Sequence, residues 1–281
     1  MTAIGGTAAA ITGAASGIGR ALAMEMAARG ADLALADRDE AGLRAVAAGI
    51  AAAHARKVTT HRVDVGDPPQ IEAFAAAATA NHPTLNIVIN NAGVALAGQF
   101  HEISQGEMEW LVNINFWGVV HGTRAFLPHL QKQPAAHIAN VSSVFGLVAP
   151  PGQTAYAAAK FAVRGFSEAL RHELAAANSA VRLSVVHPGG VSTNIVRNAR
   201  TGAAVTGANA NRAEAIERFD RLARTSPQQA AQRILRGIEN NEPRILIGND
   251  ARMMDLLQRL RPATYWSVLA RRMRRAAEAG S

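Results

Sequence analysis

Short β-rich apolar runs alternate with longer helix-period segments along most of the 281 residues, and this alternation constrains the fold more than any other feature of the chain. The spacing predicts strands over Ala8–Thr12, Asp32–Ala36, Lys57–Val63, Asn86–Ile89, His137–Val141, Val181–Val186 and Arg244–Ile247. It predicts helices over Gly17–Arg29, Glu40–Ala53, Pro69–Asn81, Gln105–Gln131, Thr154–Ala177 and Pro227–Asn240. Runs such as Ile87-Val88-Ile89 are apolar without alternation, as strands covered on both faces must be. Right-handed crossovers then give an α/β, Rossmann-like, doubly wound parallel sheet of about seven strands with helices on both faces. Ligands of such a sheet sit over the carboxyl ends of its strands.

Residues 1–247 are expected to form one domain, because no repeat or low-complexity linker divides them. Residues 192–225 have weak periodicity and carry Thr201-Gly202-Ala203-Ala204 and Thr206-Gly207-Ala208-Asn209. Beside a strand end they read as a lid over the ligand, with a plain surface excursion as the alternative. Residues 248–281 read as a basic, amphipathic helical extension.

The formal net charge is +8, and seven arginines against three acids in residues 248–281 account for half of it. No basic stripe interleaved with aromatics runs through the rest, so nucleic acid is not an expected partner. The run Arg271-Arg272-Met273-Arg274-Arg275 is expected to belong to a helix packed on the body or on a neighbouring subunit, with its arginines in water. Peripheral contact with an anionic membrane is the alternative. The chain has no cysteine, which excludes disulfides, thiolate catalysis and cysteine metal ligands. No His/Asp/Glu cluster suggests a metal, and no apolar run approaches the roughly 18 residues of a membrane span. The N-terminus lacks a signal-peptide pattern, so a cytoplasmic location is expected.

After the first strand comes Thr12-Gly13-Ala14-Ala15-Ser16-Gly17-Ile18-Gly19. Glycines in such a turn let backbone N–H groups approach a pyrophosphate at a helix N-terminus. Asp37 ends the second strand eighteen residues beyond Gly19, where a carboxylate can accept both hydroxyls of an adenosine ribose. The same charge repels a 2′-phosphate, and Ser16 supplies no cation to offset it. NAD is therefore the expected cofactor; Arg38, next to Asp37, leaves NADP open. Asp64-Val65 follows the third strand and Asn90-Asn91-Ala92-Gly93 the fourth.

Tyr156 and Lys160 lie one helical turn apart, and Ser143 precedes the tyrosine by thirteen residues. A lysine at that range favours tyrosinate, tuning a phenol toward proton exchange with an alcohol or carbonyl oxygen. Ser143, just past a strand, is placed to hydrogen-bond the same oxygen.

With these motifs the chain resembles the short-chain dehydrogenase/reductase family in its single-domain form, here with a C-terminal extension. The resemblance rests on Thr12-Gly13-x-x-x-Gly17-Ile18-Gly19, Asp64, Asn90-Asn91-Ala92-Gly93, Asn115, Ser143, Tyr156-x-x-x-Lys160, and Pro188-Gly189 followed by Thr193. It implies that Tyr156 is the general acid/base and that Ser143 orients the substrate oxygen. Lys160 would bind the nicotinamide ribose and lower the Tyr156 pKa. Asn115 would interrupt its helix and hold a proton-relaying water. Asp64 and Val65 would contact adenine, and Asn91 the adjacent ribose region beside Ala92 and Gly93. Thr193, with the backbone from Pro188 through Gly189 to Val191, would contact the nicotinamide carboxamide. Association as a homodimer or homotetramer through the helices of Asn115 and Tyr156 is also implied.

Candidate substrate contacts are Val94, Ser143, Phe145, Val148 and Tyr156. His187 reads as a hydrogen-bonded strand-end histidine, with substrate contact as its alternative. These surroundings are mostly apolar, and no basic residue directly follows Ser143 to grip a carboxylate. The expected activity is NAD(P)-dependent interconversion of a hydrophobic secondary alcohol and a ketone. The alternatives are an NADP-dependent carbonyl reductase of the ketoacyl type and, from another class, a cofactor-binding regulator.

Overall fold

The computed structural model describes residues 1–206 and 211–278, with side chains through Arg271. Its strands are β1 (Ala8–Thr12), β2 (Asp32–Asp37), β3 (Val58–Arg62), β4 (Leu85–Asn90), β5 (Leu96–Ala97), β6 (Ala136–Val141), β7 (Val181–Pro188), β8 (Arg200–Thr201) and β9 (Arg244–Ile247). Seven form one sheet in the order β3-β2-β1-β4-β6-β7-β9, with every pair parallel. The Rossmann-like doubly wound architecture expected from the alternation is therefore present. Strand order reverses between β1 and β4, which opens a crevice at their carboxyl ends. The two short strands missing from the sequence reading, β5 and β8, pair with each other outside this sheet.

The helices are α1 (Gly17–Ala28), α2 (Glu40–Ala53), α3 (Pro68–Asn81), α4 (Gln105–Val112), α5 (Gly118–Leu130), α6 (Thr154–Ala176), α7 (Arg212–Leu222), α8 (Pro227–Glu239), α9 (Asn249–Leu260) and α10 (Tyr265–Glu278). Ile11, Leu33 and Ile87 face one side, packed with Leu22 and Met26 of α1, Ile50 of α2 and Ile234 of α8. Ala10, Val88 and Ile138 face the other, packed with Phe74 of α3, Phe126 of α5 and Leu174 of α6. Successive residues of β1 thus enter opposite cores, so neither face of that strand tolerates a polar side chain.

Helix starts are written in the local sequence. The side chains of Asp39, Asp67 and Ser226 accept from Gly42 N, Gln70 N and Gln229 N, and proline opens α3 and α8. Helix α1 differs: Ser16 at its N-cap makes no side-chain capping bond, and its first turn holds no acidic residue. The positive end of α1 is left for an anion from elsewhere.

Three features refine the expectations. The helical stretch Gln105–Gln131 is interrupted at Asn115 as the resemblance implied, because α4 passes through a π-helical turn at Asn113–Trp117 before α5. Residues 192–225 are more regular than their periodicity suggests, since they include β8 and α7; part of the second glycine-bearing run, residues 207–210, lies outside the described residues. The helical extension consists of two helices, separated around Pro262. It packs on the body as expected, burying Ala251, Asp255 and Leu269. Of the arginine run, the side chains beyond Arg271 lie outside the described residues. No helix of the described residues is long and apolar enough to cross a membrane.

Within the sheet, His137 of β6 is fully buried, its Nε2 2.8 Å from the Ser184 hydroxyl of β7. Burial lowers its pKa from 6.5 to about 4. Between those values the folded chain binds fewer protons than the unfolded chain, so stability is lost as pH falls through this window. The slope is at most about 1.4 kcal/mol per pH unit for one such histidine. Denaturant titrations should show a lower midpoint near pH 4.5 than near pH 7, and His137→Gln should narrow the gap. An equal gap in the variant would remove His137 as its cause.

Candidate active site

The crevice between β1 and β4 is held by four hydrogen bonds. The Thr12 hydroxyl accepts from Asn91 N at 3.0 Å and Ala92 N at 3.1 Å. The Asn91 Nδ2 donates to the carbonyls of Thr12 at 2.9 Å and Gly13 at 3.2 Å. The Asn91 side chain is thereby committed to the turn itself, which supports a neighbouring ligand through the backbone. Gly13 and Gly17 adopt φ of +67° and +53°, in the left-handed region that favours glycine. A Cβ on Gly19 would collide with the Gly13 carbonyl oxygen, so α1 begins directly against the turn. These glycines, the uncapped α1 terminus and the small residues at Ala14 and Ala15 form a cradle that a phosphate-bridged dinucleotide fits.

Asp37 joins this cradle. Its Oδ2 accepts from Ala15 N at 3.0 Å, and its Oδ1 accepts from Asp39 N at 3.1 Å. The cap of α2 is Asp39, so Asp37 does not serve that purpose. Arg38 extends the other way, 3.6 Å from the Asp64 carboxylate. Asp64 also accepts from Gly66 N, while Val65 is buried beneath Gly118. Val65 is therefore a backing residue whose side chain is turned inward. On the far rim, the Thr193 methyl would lie 3.3 Å from a Cβ on Gly17, which brings the segment after β7 across the cradle.

Asn115 lies within the π-helical turn and is fully buried. Its Oδ1 accepts from Val94 N and its Nδ2 donates to Val94 O, both at 2.8 Å. The side chain clips the strand-end segment after Gly93 in place. A Cβ on Gly93 would lie 3.2 Å from the Asn115 Oδ1 and 3.5 Å from the Lys160 Nζ.

Lys160 is 3% exposed, with its Nζ donating to Val141 O at 3.0 Å and lying 5.7 Å from the Tyr156 ring centre. Burial lowers its pKa to about 8. Burial also raises the Tyr156 phenol, partly offset by the Ser143 hydroxyl. The direction is thus opposite to the lysine-driven lowering expected from the spacing, because desolvation of the phenolate exceeds what the Ser143 hydrogen bond returns. Ser143 caps the short turn after β6, its Oγ accepting from Phe145 N at 3.1 Å, and Phe145 packs edge-on against Tyr156.

Val94 and Phe145 remain partly exposed at the rim. Val148 and His187 do not: they are 2% and 0% exposed and present no surface to the crevice. His187 thereby takes the hydrogen-bonded strand-end role first read for it. His187 lies beneath the site, its Nδ1 donating to the Ser143 carbonyl at 2.8 Å while its buried Nε2 has no partner. The neutral ring is fixed by burial, which lowers its pKa to about 4. Val191 is also buried, bridged to Thr225. Sequence reasoning missed the layer below the site, where Asn90 Nδ2 donates to Thr123 Oγ1 and Asn140 Oδ1, and Asn140 Nδ2 donates to Ser167 Oγ. Asn90 carried a motif signal; Thr123, Asn140 and Ser167 carried none.

The family model described as short chain dehydrogenase matches residues 7–204. This chain belongs to the short-chain dehydrogenase family. It is 42% identical over 271 residues, 96% of each chain, to SadH of Mycobacterium tuberculosis, a protein named for an expected oxidoreductase activity. It is 35% identical over 244 residues to EphD of the same organism, named in similar terms, covering 85% of this chain and 40% of that one. Among solved structures, a short-chain dehydrogenase/reductase from Burkholderia phymatum in complex with NAD is 33% identical at a TM-score of 0.84, covering 92% of this chain and 95% of that one. Levodione reductase is 26% identical at a TM-score of 0.76, covering 88% and 97%. The protein is accordingly an oxidoreductase of this family.

Gly19→Ala should weaken NADH binding about tenfold or more, because relieving the collision with the Gly13 carbonyl opens the cradle. Nicotinamide fluorescence titration checks this, and an unchanged affinity would mean the cradle is not the cofactor site.

Proposed function

We propose that this protein is an NAD-preferring dehydrogenase that interconverts hydrophobic secondary alcohols and ketones, with Tyr156 as general acid/base. The observation that carries the reading is the convergence of Ser143, Tyr156 and Lys160 beside Gly93, on the same sheet edge as the glycine cradle.

Gly13 through Gly19 and the start of α1 would hold the pyrophosphate, Asp37 the adenosine ribose, and Gly93, Lys160 and Thr193 the nicotinamide half. NAD supplies a hydride acceptor at the nicotinamide C4 and, when oxidised, a positive charge. Ser143 holds the substrate oxygen and Tyr156 exchanges its proton. Lys160, donating to the Val141 carbonyl, is placed beside the nicotinamide ribose, and the Ser143 hydroxyl partly offsets the rise in the Tyr156 pKa. With the phenol pushed up by burial, Tyr156 stands ready to protonate a ketone; to accept a proton it needs cationic charge close by. Two features support NAD over NADP: the Asp37 carboxylate is anchored in the cradle by Ala15 N, and Arg38 is drawn toward Asp64. They also weigh against the NADP-dependent carbonyl reductase. Val94 and Phe145 favour an apolar substrate, and residues 192–225, tied at β8 and at Thr225, serve as its lid. Trp117 and Phe161 are 47% and 37% exposed at the helices carrying Asn115 and Tyr156, and we assign self-association to that surface.

Three measurements test the reading. Fluorescence titration should show tighter binding of NADH than NADPH, with the preference narrowed by Asp37→Ala. In an absorbance screen of apolar secondary alcohols with NAD⁺, Tyr156→Phe should lower kcat by about 10²- to 10⁴-fold while sparing NADH affinity. Full turnover by that variant would remove Tyr156 from the chemistry. Light scattering should show Trp117→Asp as a smaller species than the parent; an equal mass would relocate the interface.

A further inference from the structure

The extension after β9 returns to the catalytic edge of the sheet at two points. The Oδ2 of Asp250, in the first turn of α9, accepts from Gly190 N at 2.6 Å. A Cβ on Gly189 would run into the same carboxylate, so the two glycines after Pro188 are shaped around a side chain far along the chain. The second point is Tyr265, where α10 begins: its hydroxyl oxygen accepts from Ala149 N at 3.0 Å. Ala149 lies on the segment that joins the Ser143 turn to α6, the helix of Tyr156. Next along that segment, Pro150 and Pro151 have no N–H to offer, so a donor bond from here falls to Ala149. A third tie secures the extension itself. Arg244 of β9 donates to Asp255 of α9 at 2.7 Å and to Glu168 of α6 at 2.6 Å.

We infer that Asp250 and Tyr265 are positioning residues of the active site. Asp250 sets the segment from Pro188 to Val191 on the cofactor side, and Tyr265 sets residues 147–153 on the substrate side. The extension is then a working part of the site, and its two contacts divide the labour between the two ligands. Both arms rest on the proposed function, the cofactor arm on its NAD site and the substrate arm on its chemistry.

Ala149 is exposed, so its N–H can turn to water when Tyr265 loses its hydroxyl. Global stability should barely move in Tyr265→Phe. Amide exchange of residues 147–153 should rise about two- to tenfold, and KM for the best alcohol of the screen should rise by a similar factor. The kcat and NADH affinity should stay within about twofold. Asp250→Ala should do the reverse, weakening NADH binding about two- to tenfold and leaving exchange at 147–153 unchanged. Asp250→Asn, whose amide oxygen still accepts from Gly190 N, should restore NADH affinity even if the alanine variant folds poorly.

Unchanged exchange in Tyr265→Phe, or unchanged NADH affinity in Asp250→Ala, overturns the inference. So does an Asp250→Asn variant that folds without recovering NADH affinity. If no alcohol turns over, the exchange and NADH arms still decide the inference, and only the dehydrogenase reading fails.

Discussion

The arrangement depends on the reciprocal clasp between Thr12 and Asn91 across β1 and β4. Parallel strands diverge at a reversal of order, leaving N–H and C=O groups at their ends without ladder partners. One hydroxyl accepts two of the N–H groups, and one amide donates to two of the carbonyls. The crevice stays open because its walls are satisfied within themselves. From this clasp the chain runs through Ala92 and Gly93 to Val94, whose backbone Asn115 grips on both sides. The π-helical turn that sets Asn115 therefore transmits the position of β4 to the helix beneath the site. The glycine cradle after β1 and the helix α6 that carries Tyr156 and Lys160 are thereby held in one frame.

Below that frame lies a buried polar layer rather than an apolar one. Asn90 and Asn140 face each other in register on β4 and β6, joined to Thr123 of α5 and Ser167 of α6. The Asn90 Oδ1 has no partner, but the remaining bonds of these amides tie α5 and α6 to β4 and β6. His187 extends the layer under β7, holding the Ser143 carbonyl with a ring kept neutral by burial. Apolar packing alone would tolerate small slides of α5 and α6 over the sheet; bonds of defined length do not. The catalytic edge inherits its precision from this layer.

The legible part of the fold was what repeats. Strand and helix periods are local signals, and they placed the seven sheet strands to within a residue or two. The glycine turn and the Tyr156–Lys160 spacing were legible because each requires particular residue types at fixed separation. Contacts made by ordinary residues across long separations were not. Nothing near Asp250 or Tyr265 announces a partner at Gly190 or Ala149, and two-residue strands such as β5 carry no period at all. Val148 shows the limit of adjacency, whereas His187 takes the hydrogen-bonded strand-end role read for it. Adjacency to a motif suggested substrate contact, yet the residue beside an exposed one on a strand end or turn often points inward.

Proximity to Lys160 was expected to dominate the electrostatics of Tyr156, and the outcome follows from where the pair lies. A cation stabilises a phenolate only if it remains charged, yet the burial that strengthens their attraction also penalises both ions. Lys160 accordingly falls to about 8 while Tyr156 rises. Under the proposed function this balance has a use. A site that stabilised tyrosinate by itself would hold the base ready whether or not a hydride acceptor were present. Its pKa raised by burial and lowered by the Ser143 hydroxyl, Tyr156 would depend on groups brought close to it to form the base, and oxidised nicotinamide would supply positive charge there.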